Sequence, residues 1–414
     1  MTICGVICEL NPFTSGHEYL LRMARSLTGA DYVIALMSGD FVQRGLPAIC
    51  DKYSRCAMAL KGGADLVIEL PVIYATASAD YFAYGGITLL DSLGCVDFLV
   101  FGSESGDIEL LRSCAGVSPV SAPGVHIMSQ GQNSSDALAL KISKLLRDGV
   151  SYAKAYQMVT GNEFASNDML GVRYLKSLDM RMSSIKPYVV KREGSIYLDE
   201  GPDSKSAGAV RRRIFAGSDY AHLVTKYAYK DMEKARGVTF PVGLNDFGVQ
   251  LYSVLDTLLD NEENGGPLLT DFMDVSANIS GRIKSGLVDF TDYENFAGEV
   301  HSKEYTRSRV NRALLHILLG IRKSDYPDTL DECEAGYARI LGFREGSKGV
   351  LSILKESSLI PIISKAGDGE KYLDEDALRI FNRDIHAANV YDKACVFKFG
   401  KEPVHDFARQ LVII

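Results

Sequence analysis

Two rhythms of apolar residues alternate along the first hundred positions. Residues 2–8, 32–37, 66–70 and 98–101 are short apolar runs of the length of buried strands. Between them, residues 17–28, 47–61 and 78–93 carry apolar side chains at helical spacing. Gly29 follows the first of these stretches as a stop, and Pro47 stands near the start of the second. Strands alternating with helices predict a parallel sheet with crossover helices, an α/β fold. Such a sheet receives ligands at the carboxyl ends of its strands. Helical spacing returns at 135–146, 152–159 and 167–178, a β-like run at 185–190, and a basic helix from Ser206. Beyond about residue 220 helical spacing dominates, at 247–259, 305–319, 349–355 and 375–382, broken by the polar loop 260–267. The expected organisation is a Rossmann-like parallel-sheet domain over residues 1–217 and a mostly α-helical domain over 218–414.

A chain of 414 residues exceeds one compact core, in keeping with two domains. With 46% hydrophobic and 24% charged residues it has the balance of an ordinary soluble protein, and disorder is excluded. The first residues lack a basic leader and a cleavage site, and no apolar run approaches a membrane span, so a cytoplasmic protein is expected. The eight cysteines form no Cys-x-x-Cys pair, which gives a protein-held metal little support and suits buried reduced thiols. A net charge of −8 argues against a general nucleic-acid coat but leaves room for local basic surfaces.

The informative stretch is Glu9-Leu10-Asn11-Pro12-Phe13-Thr14-Ser15-Gly16-His17, between the first strand and the first helix. A helix N-terminus offers unpaired N–H groups and partial positive charge to a phosphate. Gly16 permits close backbone approach, and Thr14 and His17 can aim donors at the same place. A lone Gly-His would be an ordinary first turn, with Thr14-Ser15 a plain cap; its place at the mouth of a parallel sheet favours function.

Asn11-Pro12-x-Thr14-x-Gly16-His17 resembles the (H/T)-x-G-H signature of the nucleotidyltransferase superfamily. Longer blocks resemble one branch of it, the tRNA(Met) cytidine acetate ligase family. They are Met37 to Ala48, Asp51-Lys52-Tyr53-Ser54-Arg55, Asp65 to Pro71, Phe101-Gly102-Ser103-Glu104, Asn167 to Tyr174, Lys191-Arg192, Ser206 to Arg211, Lys303 to Arg307 and Tyr337 to Phe343. The resemblance implies an ATP-dependent reaction in two steps. Acetate attacks the α-phosphate of ATP, releasing pyrophosphate; the acetyl group of the adenylate then passes to the wobble cytidine of elongator tRNA(Met), giving N4-acetylcytidine.

It further implies Thr14 and His17 as catalytic residues. ATP contacts are implied at Ile7, Cys8, Glu9, Leu10, Asn11, Pro12, Phe13, Thr14, Ser15, Gly16, His17, Glu18, Tyr19 and Leu20, and at Gly102, Asn167 and Arg192. This chain has Thr14 where the family usually has His, Gly208 in place of Thr, and Asp168 in place of a second Asn.

Other candidates come from charge. Lys52, Arg55, Ser206 and Arg211 are expected near the phosphates or the leaving pyrophosphate, against the plainer reading of solvated helix faces. Lys186, Lys191, Arg212, Arg307, Arg309 and Arg312 fall in two basic clusters that suit a folded RNA. Glu69 and Glu104 could be ligand contacts or ordinary turns, and Asp40 has no role legible in sequence. His126, His222, His316 and His386 read as structural or surface residues. Mg2+ is expected with the triphosphate. Two other readings share the phosphate motif: a small-molecule adenylyl- or cytidylyltransferase, and an RNA-binding protein with a relic nucleotide pocket.

Overall fold

A computed structural model describes residues 1–116, 141, 144–145, 155, 157–159, 165–192 and 206–414. His126 lies outside them, as does much of the two helical stretches expected over 135–146 and 152–159.

The apolar runs become the strands of one sheet. β1 (Ile3–Cys8) lies between β2 (Tyr32–Ser38) and β6 (Phe98–Ser103), all parallel, with β5 (Leu66–Leu70) outside β2 and β7 (Lys186–Lys191) outside β6. Alternate residues face opposite ways along a strand, and here both faces are covered. Cys4, Val6, Val33, Ala35 and Val100 share one apolar core with Leu21, Ala24, Met58 and Leu60. Those four belong to α1 (Ser15–Thr28) and α2 (Lys52–Lys61). Ile3, Ile7, Ile34, Leu36 and Leu99 share the other core with α3 (Val72–Ala75), α4 (Ala79–Ser92), α5 (Ile108–Ala115) and α6 (Ser166–Met180). The near-continuous apolar character of the strands follows from this double burial.

α1 runs from its cap at Thr14 to Gly29, whose left-handed φ of 64° lets its N–H close on Arg25 O. α2 starts later than the spacing predicts. Residues 46–47 form β4, paired with β3 (Phe41–Val42), and Asp51 caps the helix by accepting the N–H groups of Tyr53 and Ser54. Pro47 belongs to this ribbon and not to the helix.

After α7 (Ala207–Phe215) and α8 (Lys226–Ala235) the chain is largely helical. α9 (Gly248–Glu263), α10 (Ala277–Gly286), α11 (Tyr293–Val300) and α12 (Arg307–Leu319) come first. α13 (Gly349–Ser357), α14 (Gly369–Tyr372) and α15 (Glu375–Phe399) follow. Three strands from this part join the sheet. β8 (Ala338–Phe343) pairs antiparallel with β5, and the short β9 (Ile362–Ile363) and β10 (Val412–Ile413) pair with β8. These strands depart from the mostly helical expectation; in β8, buried Arg339 interrupts the apolar run that would have marked a strand. The helical part packs on the second sheet face, and Val310, Leu314 and Ile317 belong to the same core as Ile7 and Leu36.

Candidate functional site

From β1 the chain proceeds to β2 and β5 on one side, then crosses to β6 and β7 on the other. The crevice beyond β1 and β6 is therefore a topological switch point, where α/β sheets hold ligands. Residues 9–17 occupy it.

Four groups fix this turn. Arg55, fully buried, donates to Cys50 O at 3.0 Å, Glu9 O at 2.8 Å and Ser38 O at 2.9 Å, and also to Gly39 O. Asn11 Oδ1 accepts Ile49 N–H at 2.9 Å, and Asn11 O accepts a bond from Arg211 Nη1. Glu9 Oε1 accepts Gln43 N–H at 2.9 Å. Phe13 is wholly buried against Gly62, where a Cβ would collide with its ring, and its ring centroid lies 5.8 Å from that of His17. The side chains of Ile7, Cys8, Leu10 and Phe13 point into the core, so these residues offer a ligand main chain only. Burial holds the Cys8 thiol protonated, its pKa pushed up to about 12.

Thr14 ends the turn in extended conformation and caps α1. His17 Nδ1 accepts Thr14 N–H at 3.0 Å and lies 3.1 Å from Thr14 Oγ1. Burial first, and the charge of Arg192 second, lower the His17 pKa from 6.5 to about 4. The ring is neutral at pH 7 with Nδ1 as acceptor, so Nε2 carries the proton and is a donor. Ser15, Gly16 and Tyr19 stand exposed or half-exposed around it, with Glu18 and Leu20 half-buried.

Two further strands supply the opposite wall. Arg192 follows β7, its N–H bonded to Ser103 O at 2.9 Å, and its stem lies 3.4 Å from where a Cβ on Gly102 would sit. Asn167, in the first turn of α6, donates Nδ2–H to Glu104 Oε1 at 2.5 Å, and Glu104 Oε2 accepts Asp168 N–H at 3.1 Å. Asp168 is itself bonded to Ser103 and Ser105. Glu104 thus joins the end of β6 to the start of α6. Ser206 caps α7 by accepting Ala209 N–H at 3.2 Å, which leaves Arg211 facing Asn11 one turn on. A Cβ on Gly208 would come within ordinary contact of the guanidinium groups of Arg212 and Arg211, at 3.9 and 4.0 Å, so a threonine could stand there beside both.

A model of the HIGH nucleotidyl transferase family matches residues 1–403. The chain belongs to the HIGH nucleotidyltransferase family. Its relatives include a tRNA(Met) cytidine acetate ligase of Thermoanaerobacter sp. strain X514, 37% identical over 412 residues, with 95% of this chain and 96% of the relative covered. That of Acetivibrio thermocellus is 33% identical over 430 residues, with 100% of both chains covered. Among solved structures, apo Thermotoga maritima TmcAL superposes with a TM-score of 0.81 at 28% identity over all of both chains. The same protein bound with alpha-thio ATP gives 0.79, again at 28% identity over all of both chains. The family resemblance and the α/β class expected from the sequence are borne out.

Several charge-based expectations for this nucleotidyltransferase need correction. Lys52 is turned inward, its Nζ 2.8 Å from Glu69 and 3.0 Å from Asp406. Arg339 bridges the same carboxylates at 3.2 and 2.8 Å, and Tyr53 donates to Asp406 at 2.6 Å. Neither Lys52 nor Arg55 can reach a phosphate: one is held by buried carboxylates, the other by backbone carbonyls. Asp40 accepts Lys52 N–H at 2.8 Å, and burial raises its pKa to about 6 against the pull of Lys52 and Arg55. Arg312 is buried against Asp274 at 2.7 Å and is lost to RNA.

Lys186 starts β7, at the opposite end of the strand from Lys191, roughly 16 Å away at strand rise. Lys191 is exposed and Arg212 stands on the outer face of α7. Arg307 donates to Glu294 O at 2.6 Å, and Arg309 lies over the Tyr305 ring at 4.8 Å, 4.0 Å from Asp274. His316 is structural: its nitrogens lie 3.1 Å from Met273 O and Thr76 O. Sequence reasoning assigned nothing to Gln43 or Arg44, although they sit in a polar loop after the second strand, where ligand-binding loops of such sheets lie.

Proposed function

We propose that this protein is an ATP-dependent tRNA(Met) cytidine acetate ligase that activates acetate as acetyl-adenylate and acetylates the wobble cytidine of elongator tRNA(Met). The observation carrying this reading is the neutral His17 on its capped helix N-terminus at the switch point, in a chain that aligns end to end with relatives of that name. In the first step an acetate oxygen attacks the α-phosphorus and the bond to pyrophosphate breaks. Negative charge grows on the phosphate oxygens as it does. His17 Nε2–H and the N–H groups opening α1 are donors already in place, so little reorganisation is required. Arg192 and Arg211 add positive charge on either side of the turn. In the second step the cytidine N4 attacks the acyl carbon, AMP leaves with the bonding pair, and the nitrogen loses a proton.

Mg2+ would enter with ATP, on phosphate oxygens and water, and neutralise phosphate charge; among the described residues no three His, Cys, Asp or Glu side chains converge to cage it. The outward-facing Lys191 and Arg212 are the basic residues best placed for RNA near the site, and Arg307 and Arg309 form a second basic surface. Residues 1–217 carry the nucleotide chemistry in this reading, and the helical part serves the RNA. Among the described residues no helix is long and apolar enough to cross a membrane.

Incubation with ATP, labelled acetate and bulk tRNA should place label in cytidine. Pyrophosphate release that ignores acetate would favour a small-molecule nucleotidyltransferase instead. RNA binding with no pyrophosphate release at all would favour a relic pocket.

A further inference from the structure

An open cavity of about 460 Å3 lies in the helical part, between α9, the end of α12 and α15. Its lining divides by chemistry. Val254, Leu258, Phe272 and Leu318 are apolar, while Arg322, Arg379 and Arg383 carry positive charge. Among the described residues of the lining, Asp325 is the one acid. It lies 3.3 Å from Arg379 Nη1 and 3.3 Å from Arg383 Nη2, and accepts Arg322 N–H at 2.8 Å. One carboxylate is thus shared among three residues, and guanidiniums carry more N–H donors than it can accept. Arg383 Nε–H, buried, meets no acceptor among the described residues. Three guanidiniums against a single carboxylate make a cavity that attracts anions.

The cations are held in place by the fold. Asp384, next to Arg383, accepts Val72 N–H at 2.7 Å, which fixes this turn of α15 to the chain leaving β5. Gly320 ends α12, and a Cβ there would come 3.2 Å from Arg383 Nη1. Arg322 is exposed and rests over the buried Phe272 ring, 5.7 Å from its centroid. A second hollow, of about 390 Å3, shares Arg379 and Arg383 and is lined further by Leu378, Asn382 and Glu375. Asp376 also pairs with Arg379, at 3.4 Å, but it is 90% exposed and such a pair contributes little.

We propose that this double hollow seats a short unpaired stretch of the RNA substrate, with a phosphate on Arg379 and Arg383 and a nucleoside in the larger cavity. Guanidiniums grip phosphate oxygens through paired donors. Unpaired bases lie on apolar surfaces and on guanidinium planes, which Leu258 and Arg322 offer here. Two hollows meeting at two arginines suit a polymer that enters by one and leaves by the other, where a free nucleotide would fill only one. The inference rests on the function proposed above, and the experiment keeps the two apart.

Arg383→Ala, Arg322→Ala and Leu258→Trp are compared with the unaltered protein. For each, the Kd of elongator tRNA(Met) is measured over a range of salt, along with Tm and acetate-dependent pyrophosphate exchange in the absence of RNA. Arg383→Ala should raise the tRNA Kd by about tenfold or more, the loss expected for a hydrogen bond to a charged group. The slope of log affinity against log salt should fall by about one. Leu258→Trp fills the cavity without changing any charge, and should weaken tRNA binding with the salt slope intact. Exchange should stay normal in all three. A short oligouridylate should compete with tRNA for the unaltered protein and much less for Arg322→Ala.

An unchanged tRNA Kd in both Arg322→Ala and Leu258→Trp overturns the proposal. These two decide the matter if Arg383→Ala lowers the Tm, because Asp325 holds Arg322 by its main-chain N–H. Competition by cytidine monophosphate that Leu258→Trp abolishes, with tRNA binding untouched, would make this a pocket for a free nucleotide and also overturn it. So would a duplex RNA that competes as well as the oligouridylate. Should the unaltered protein put no acetyl label into cytidine, the proposed function fails, and tRNA Kd alone decides the pocket: a rise in the variants supports it and no change sinks it.

Discussion

At the scale of single residues the chemistry turns on a hydrogen-bond assignment. Because His17 Nδ1 accepts the Thr14 N–H, the ring proton sits on Nε2, and the lowered pKa keeps the ring a neutral donor through the physiological range. His17→Ala should cut acetate-dependent pyrophosphate exchange by about a hundredfold or more, as loss of a preorganised donor does. Exchange within a few fold of normal would remove His17 from the mechanism. The same residue carries a pH signature. Its pKa is about 4 folded against 6.5 as an ordinary histidine, so between those values the unfolded chain binds the extra proton. Its stabilising contribution is present above pH 6.5 and is lost as pH falls toward 4. Thermal unfolding of His17→Gln, followed from about pH 7 to about pH 4, should therefore show a smaller drop in Tm than the unaltered protein. Equal drops would mean that His17 titrates normally.

At the scale of elements, the end of the chain is tied to the start by charge. Asp406 opens a short helical turn near the C-terminus, yet it meets Lys52 from α2 and Arg339 from β8. Burial pushes its pKa up, but Lys52 and Arg339 outweigh that and hold it ionised. Glu69 from β5 completes the group. Such a cluster adds little net stability over a well-packed apolar one, but breaking it strands buried charge. Asp406→Ala should destabilise the protein by about 3–5 kcal/mol, read from denaturant unfolding. Since the Asp406 carboxylate is taken up by Lys52, Tyr53 and Arg339, ATP Kd of the folded variant should be near normal. A loss of ATP binding at full stability would place Asp406 in the site instead.

At the scale of the whole molecule, an acidic chain has to bind an acidic RNA through local surfaces. Lys191 and Arg212 face outward beside the nucleotide crevice, while Arg312 and Lys52 are spent on internal pairs. Lys191→Glu with Arg212→Glu should reduce tRNA acetylation and lower the slope of log affinity against log salt by about one for each phosphate no longer neutralised. Acetate-dependent pyrophosphate exchange, which needs no RNA, should be unaffected by the pair. Loss of both half-reactions together would show that these residues serve the nucleotide and not the RNA.

The sequence alone determined what depends on neighbours along the chain. Apolar runs and helical spacing placed β1, β2, β5, β6 and β7 and most helices, because burial of one face or both imposes a local period. The motif from Asn11 to His17 was legible for the same reason: strand, tight turn and capped helix are all local. Only the tertiary structure decided the fate of the basic residues. Lys52, Arg55 and Arg312 look like the outward-facing Lys191 and Arg212 in sequence, and nothing local separates them. What separates them is Asp406, Gly39 and Asp274, brought in from elsewhere in the chain. Likewise β8 was hidden because the charge near its start, Arg339, is neutralised by Glu69 and Asp406, which lie far from it along the chain. A helical or strand period reports which side of an element is buried; what it is buried against is a property of the folded chain.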